Sequence, residues 1–316
     1  MNLFLTRAWQ DAWWKYWGST PGFELVSEGR GCSGLYLDRY RYKGVLPVTC
    51  LQFIGTNYRR LSTPRTEYNS LPIATPDAIF SVDWSEAVLA DMQEDAPAVR
   101  ALLDLAGERQ CLVRRVGDDV AYAIETNGLF SDYLARLGSG TRLRLYNRRS
   151  VLEQVGGVTI GNWWPDKLVS FFELLNDFHR DRWGQPCFNE TSLAFHQEFL
   201  RNIVHEGGRP ELSVLCVSGR PVSVLYNVLY RNVAYNLQAG FVENFHKKLA
   251  LGTLHLGYSI EAAFDNREVE AFDLLAGGGK NEDYKAKLAT VRTPLVSLML
   301  VRSRLFKLLY RIKDSR

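Results

Sequence analysis

The chain has 316 residues, 46% of them apolar and 23% charged, with a net charge of only +3. That length supplies a core for two domains of about 150 residues each, in a composition that excludes the disordered, fibrous and lipid-embedded classes. The small charge gives no ground for nucleic-acid binding. The five cysteines, Cys32, Cys50, Cys111, Cys187 and Cys216, are odd in number and form no C-x-x-C pair. This argues against a zinc site or a disulfide framework and for reduced thiols in a cytosol-like compartment. The N-terminal MNLFLTRAWQDAWWKYW lacks a basic segment followed by an apolar core and a small-residue cleavage site, so no signal peptide is expected. No apolar run reaches the roughly 18–20 residues that span a bilayer.

In chain order, the spacing of Leu3, Phe4, Trp9, Trp13, Trp14 and Trp17 predicts a helix packed on one face, with the tryptophans in the core. Gly34 to Val48 reads as two strands around Lys43-Gly44, and Leu51 to Gly55 as another short strand. Asn57 to Pro76 reads as a long loop, and Asp83 to Gly107 as helical with an interruption at Pro97. Strands are expected at Cys111–Val116 and Val120–Ile124, flanking Gly117-Asp118-Asp119. A short helix follows at Phe130–Leu137. Thr141 to Gln154 is expected as a helix whose basic face carries Arg142, Arg144, Arg148 and Arg149.

Beyond a strand at Gly156–Ile160, two amphipathic helices are predicted at Lys167–Trp183 and Ser192–Glu206, the first with Leu168, Phe171, Phe172, Leu175 and Phe178 on one side. Ser213–Val217, Val222–Leu229 and Val233–Gly240 read as strands joined by hairpins. Helices are expected at Thr253–Phe264, Asp283–Ala289 and Ser303–Lys313, and strands at Val269–Leu275 and Leu295–Val301. A strand, a turn rich in backbone N–H groups, a helix and a second strand, the order of Val233 to Leu275, can hold an acyl-carrying phosphate cofactor.

Four segments carry a family resemblance: TRLRLYNRRSVLEQVGG, FFELLNDFHRDRWG, LSVLCVSGRPVSVLYNVLYRNVAYNLQAGF and EAFDLLAGGGKNEDYKAKL. Together, from Thr141 to Leu288, they resemble the GNAT acetyltransferase superfamily, in its branch of cellulose or exopolysaccharide biosynthesis acetyltransferases, and residues 9–76 resemble the N-terminal half of that branch. The resemblance implies an α/β (α+β) fold with tandem GNAT-like acyl-CoA N-acyltransferase domains similar to the Fem-type transferases, each a mixed central sheet flanked by helices. Residues 1–140 would form a degenerate N-terminal domain and residues 141–316 the acyltransferase domain, with the last helix packing back on the N-terminal domain. A peripheral contact of residues 302–313 with an anionic membrane is the alternative for that helix.

The same resemblance assigns cofactor contacts. Lys247, Lys248, Leu249, Ala250 and Gly252 sit where the superfamily binds pyrophosphate at a helix N-terminus, although the usual Gly-rich loop is reduced to one glycine. Gln238, Ala239 and Gly240 fall where a strand edge pairs with the pantetheine arm of acetyl-CoA or a longer acyl-CoA and a backbone N–H meets the oxyanion. Tyr284 takes the place of a general acid for the leaving thiolate. From the residues themselves, alternation turns Asp273 away from Phe272 and Leu274 and toward the cleft, to bind the incoming amine or act as base, and Glu243 is a second candidate base. Lys280 and Lys285 flank the Gly-rich turn as contacts to phosphate or an anionic acceptor. Arg182 and Trp183 are candidates to line the acceptor pocket, because the guanidinium binds anions in a forked geometry. His179 reads as a core histidine.

Each position has a plain alternative: a surface turn, a packed tyrosine, a hydrogen-bonded structural carboxylate, a solvated lysine. The resulting expectation is a cytoplasmic acyl-CoA-dependent N-acyltransferase acting on an amino sugar or other amine of cell-envelope or exopolysaccharide metabolism, without metal or nucleic acid. A Fem-like aminoacyl-tRNA-dependent transferase and a catalytically inactive GNAT-fold binding protein are the rivals.

Overall fold

The computed structural model describes residues 2–26, 34–71, 76–277 and 282–314. In chain order it contains α1 (Arg7–Trp17), β1 (Phe23–Leu25), β2 (Leu35–Tyr42), β3 (Leu46–Phe53), β4 (Glu86–Gln93), α2 (Pro97–Glu108) and β5 (Leu112–Glu125). These are followed by α3 (Phe130–Arg136), α4 (Ser139–Arg142), α5 (Arg149–Val155), β6 (Val158–Asn162), α6 (Leu168–Trp183) and α7 (Glu190–Ile203). The remainder is β7 (Arg209–Val217), β8 (Arg220–Tyr230), β9 (Val233–Phe241), α8 (Leu251–Asp265), β10 (Ala271–Ala276), α9 (Glu282–Leu288), β11 (Val291–Val301) and α10 (Arg304–Asp314). The chain divides into two compact units, Met1–Val120 with Thr293–Arg316, and Ala121–Arg292. The expected cut after residue 140 thus falls inside the second unit, and α10 belongs to the first.

The first unit orders its strands β1-β2-β3-β4-β11. β1, β2 and β3 run antiparallel, and β3 then pairs in parallel with β4 over Cys50–Gln52 and Glu86–Val88. α1 starts at Thr6, whose hydroxyl accepts the Trp9 N–H and caps the helix. The helix buries Trp9, Trp13 and Trp17, so the tryptophan cluster is core, as its spacing predicted.

The second unit orders its strands β6-β7-β8-β9-β10, with the end of β5 beside β10. β6 to β9 are antiparallel. β9 pairs in parallel with β10 over Val233–Tyr235 and Ala271–Asp273, and β10 pairs antiparallel with Ala121–Glu125. Helices cover both faces. On one, Tyr226 of β8 packs edge-on against Phe172 of α6 and His196 of α7. On the other lies α8, whose fully buried His255 bridges Ser213 of β7 through Nε2 (2.9 Å) and Ser223 of β8 through Nδ1 (3.0 Å).

Four expectations are corrected. The helix expected from Asp83 is strand β4 as far as Gln93, and only Pro97–Glu108 is helical. Ala, Leu and Met favour helix locally, but β4 is buried between β3 and β11, and that burial outweighs propensity. The two strands expected around Gly117-Asp118-Asp119 are one strand, β5, with no turn. Leu51–Gly55 is mostly the end of β3. The Arg-rich helix is interrupted by a π-turn at Leu143–Asn147, and α8 packs against it. At Gly257 a Cβ would stand 2.1 Å from the Leu145 carbonyl oxygen, so only glycine fits.

Two predictions follow from this packing. Gly257→Ala must move backbone, so it should lower the unfolding free energy in urea by roughly 1–3 kcal/mol. Burial holds His196 and His255 at a pKa of about 3, below the unfolded value of about 6.5. Their contribution to stability is complete above the unfolded value and is lost as pH falls from there toward the folded one. Each adds a slope of up to about 1.4 kcal/mol per pH unit in that window. His255→Gln should flatten the urea-measured slope between these limits by close to one proton.

Candidate functional site

β9 and β10 share three residue pairs and then separate. The last pair is Tyr235 with Asp273, after which β9 continues to Phe241 beside β8 and β10 continues beside β5. Both strands are bulged at the separation. In β9, Tyr226 faces Gln238 and Asn227 faces Asn236, leaving Leu237 as an extra residue. In β10 the register to β5 shifts by one between Asp273 and Ala276, and Leu275 takes the left-handed conformation, φ 62°. Asp273 Oδ1 accepts the Leu275 N–H at 2.7 Å and so holds this irregular turn.

The separation leaves one edge of β9 open to side chains. Ala239 turns both backbone groups away from β8: its N–H donates to Gln238 Oε1 (3.1 Å) and its carbonyl accepts from His179 Nε2 (2.9 Å). The latter bond places the ring proton on Nε2 and leaves Nδ1 as the acceptor nitrogen. Burial lowers the His179 pKa, with Arg182 pushing the same way and the bond to Ala239 opposing, so the ring is neutral at pH 7. Gly240 lets α6 sit this close, because a Cβ there would meet Leu175 at 2.9 Å and the Phe178 Cβ at 3.3 Å.

At the end of α6, Arg182 pairs with Glu243 (2.7 Å) and lies over the rings of Trp183 (4.7 Å) and Phe241 (4.8 Å). Gly184, left-handed at φ 75°, ends the helix and donates its N–H to Arg180. The loop after Phe241 presents Lys247 and Lys248 to solvent and enters α8 at Leu251. Ala250 supplies no side-chain cap there, so the first N–H groups of a fifteen-residue helix face forward without one. Gly252 is required because the Phe241 ring lies 2.5 Å from where its Cβ would be.

The sequence candidates therefore separate into groups. Gln238, Ala239 and Gly240 lie on the open edge, and Lys247, Lys248, Leu249, Ala250 and Gly252 lead from its end into α8. Asp273 sits at the fork, buried, with one carboxylate oxygen engaged by Leu275. Glu243 is ion-paired rather than open for proton transfer. Lys285 is buried and donates to the carbonyls of Ala276 (2.6 Å) and Leu275 (3.3 Å), so it clips α9 to the end of β10 instead of reaching a phosphate. That clip holds Tyr284, 41% exposed, one residue before it, and the surrounding protein raises the tyrosine pKa by desolvation. Trp183 is exposed. Lys280 lies outside the described residues.

The contact of His179 with a strand carbonyl has no signal in the sequence, where the residue reads only as a histidine beside an apolar helix face. Arg149 is expected on the basic face of the Arg-rich helix. Its guanidinium instead sits between Tyr258 (3.8 Å) and Tyr146 (4.4 Å) and pairs with Glu261. A surface hollow of about 630 Å³ between Glu206, Arg209, Tyr230 and Glu268 lies at the opposite end of β9.

Residues 139–286 match the family model described as an acetyltransferase (GNAT) domain. No curated protein matches the chain. Among solved structures, FemX is similar over 98% of both chains, with 11% identity and a TM-score of 0.56. A conserved protein of unknown function from Bacteroides thetaiotaomicron is similar over 95% of this chain and 91% of its own, with 11% identity and a TM-score of 0.55. The C-terminal domain of a protein described as a lysylphosphatidylglycerol synthetase, from Agrobacterium fabrum, is similar over 97% and 91%, with 10% identity and a TM-score of 0.52. At such identities the likeness is one of fold. With the domain match, it shows a GNAT-like fold.

Gly240→Ala tests the seating of α6. Lifting the helix exposes His179, and loss of burial outweighs loss of the Ala239 bond. The His179 pKa should rise toward about 6.5 in an NMR titration, while an unchanged value would show that α6 does not depend on that glycine.

Proposed function

We propose that this chain transfers an acyl group from an acyl-CoA thioester to an amine, in particular the amine of an envelope or exopolysaccharide amino sugar. The observation that carries the reading is the fork between β9 and β10, whose open edge leads directly into the uncapped N-terminus of α8. The backbone groups flanking Ala239 on that edge offer a strand-like partner to the amide-bearing arm of the donor. The forward N–H groups of α8, with Lys247 and Lys248, suit its pyrophosphate. Gln238 Oε1 holds the Ala239 N–H until the donor displaces it.

In the reaction the amine nitrogen forms a bond to the thioester carbon, the carbonyl oxygen gathers negative charge, and the carbon–sulfur bond then breaks. The Ala239 N–H is the donor assigned to that oxygen. His179 Nδ1 is assigned to take the proton the amine must lose, since its lowered pKa keeps it unprotonated at neutral pH. Tyr284 is assigned to return a proton to the thiolate, and its raised pKa keeps it protonated. Asp273 is given a positioning task, fixing the turn at Leu275 and with it the angle of the fork. Arg182, steered by Glu243, faces the acceptor. Metal chemistry has no part in this reading.

Calorimetric titration with acetyl-CoA and longer acyl-CoAs should give saturable binding. Binding of charged tRNA with no response to any thioester would instead favour an aminoacyl-ester donor, a reading that the likeness in fold to FemX and to the lysylphosphatidylglycerol synthetase domain supports. With an active acceptor, His179→Gln and Tyr284→Phe should each lower kcat by about 100-fold or more. The pH–rate profile should fall on the acid side, below the ordinary imidazole value of about 6.5, because burial lowers the His179 pKa, and the His179→Gln variant should lose that limb. If His179→Gln and Tyr284→Phe together leave the biological effect intact, the chain is a binding protein on this fold.

A further inference from the structure

Helix α10 is fastened to the first unit along one side. Phe306 is buried beside β3, β4 and β11. The Tyr310 hydroxyl donates to Glu86 Oε2 (2.7 Å) and accepts from Arg59 Nη2 (2.5 Å). Lys307 Nζ donates to the Gln110 carbonyl (2.7 Å), and Asp314 pairs with Arg114 (2.6 Å). These contacts fix the rotation of the helix about its axis, so its outward side is a property of the fold.

That outward side is apolar. Leu305, Leu308, Leu309 and Ile312 follow the i, i+3, i+4, i+7 spacing of one helix face and are all exposed, Leu308 by 58%. At 3.6 residues per turn, exposed Arg304 and Arg311 fall along one border of this stripe and exposed Lys313 along the other. The acidic residue of the helix, Asp314, is already engaged by Arg114. A stripe with cations on both borders is the pattern of a helix lying in a lipid–water interface, where long basic side chains reach the headgroups while the leucines enter the acyl boundary.

We propose that this face of α10 docks the first unit on an anionic lipid bilayer. A second copy of the chain fits less well, because self-pairing would bring like-charged borders together. A stripe about 16 Å long and 10 Å wide is also far below the roughly 800 Å² per partner of a stable dimer. A lipid surface needs no matching partner area. Four apolar side chains and three exposed cations give a weak, reversible attachment that requires both components. The inference does not depend on the acyl donor.

The test is flotation of the full chain with vesicles of mixed phosphatidylcholine and phosphatidylglycerol, and with vesicles of phosphatidylcholine alone. The chain should float with the mixed vesicles, remain free with the neutral ones, and be released as salt shortens the screening length. Leu308→Ser with Leu309→Ser should weaken attachment by about tenfold or more. Arg304→Glu with Arg311→Glu should weaken it by at least roughly tenfold, since each cation near such a surface contributes roughly fivefold. All four positions are exposed, and circular dichroism would verify that the variants fold. Absence of flotation with the mixed vesicles overturns the proposal, as does flotation unchanged by the leucine pair. A concentration-dependent dimer abolished by the leucine pair, without vesicle binding, would assign the face to a second copy.

Discussion

Two parallel strands that stay together for three residue pairs and then part are the constraint on which the second unit's open strand edge depends. While Val233–Tyr235 and Ala271–Asp273 are paired, the backbone of both strands is satisfied. Beyond Tyr235 the far edge of β9 has no strand beside it, and buried backbone polar groups do not stay unpaired. The protein meets that demand with side chains, Gln238 on the Ala239 N–H and His179 on its carbonyl. Side chains can be exchanged for a ligand at little cost, whereas a strand cannot. Bulges at Leu237 and within β10 keep the fork open, and the left-handed turn at Leu275 is held by the Asp273 carboxylate. The acid at the fork is thereby explained by backbone geometry before any proton transfer is invoked.

The first unit repeats part of this layout, with a hollow of about 180 Å³ lined by Gln52 of β3 and by Val88 and Ala90 of β4. It too has an antiparallel pair, β2 and β3, followed by a short parallel pairing of β3 with β4 over three positions. There the intervening chain returns to the sheet. Asn69 bridges to Met92 in parallel, its N–H donating to the Asp91 carbonyl (3.0 Å) and its side-chain amide to the Ala90 carbonyl (3.0 Å). Where the second unit places α8 between its two strands, the described residues between β3 and β4 contain only a 3-10 turn, Pro76–Ser81. The backbone at Asn69 thus meets the edge of β4, the strand that corresponds to β10.

A buried polar cluster gives the first unit its definition. Glu86, fully buried on β4, is engaged by Arg59 and Tyr310, and Arg59 also donates to the Tyr40 hydroxyl (2.7 Å). Burying such a pair gives little net stability, since desolvation offsets much of the attraction. Its effect is directional: a carboxylate with both oxygens committed accepts one arrangement of the groups around it. Here that arrangement includes the C-terminal helix, whose outward face is set as a consequence.

Periodicity alone determined most of the helices and the β7–β8–β9 hairpins, because amphipathic spacing and turn residues are local properties. Gln238–Gly240 as a strand edge before a helix-entering loop came from the family resemblance and not from periodicity. Periodicity failed where distant partners decide. β4 reads as helix because its residues favour one, yet burial between two strands overrides them, and β5 reads as two strands because Gly117-Asp118-Asp119 has the composition of a turn. The roles of His179, Lys285 and Arg149 were likewise settled only by tertiary structure. Their side chains reach a strand carbonyl, two carbonyls at the end of β10 and a pair of tyrosine rings, partners that lie 60, 9 and 10, and 3 and 109 positions away. A hydrogen bond or ring contact over such separations leaves no periodic trace, so the sequence encoded the elements and the folded chain decided which of their residues meet.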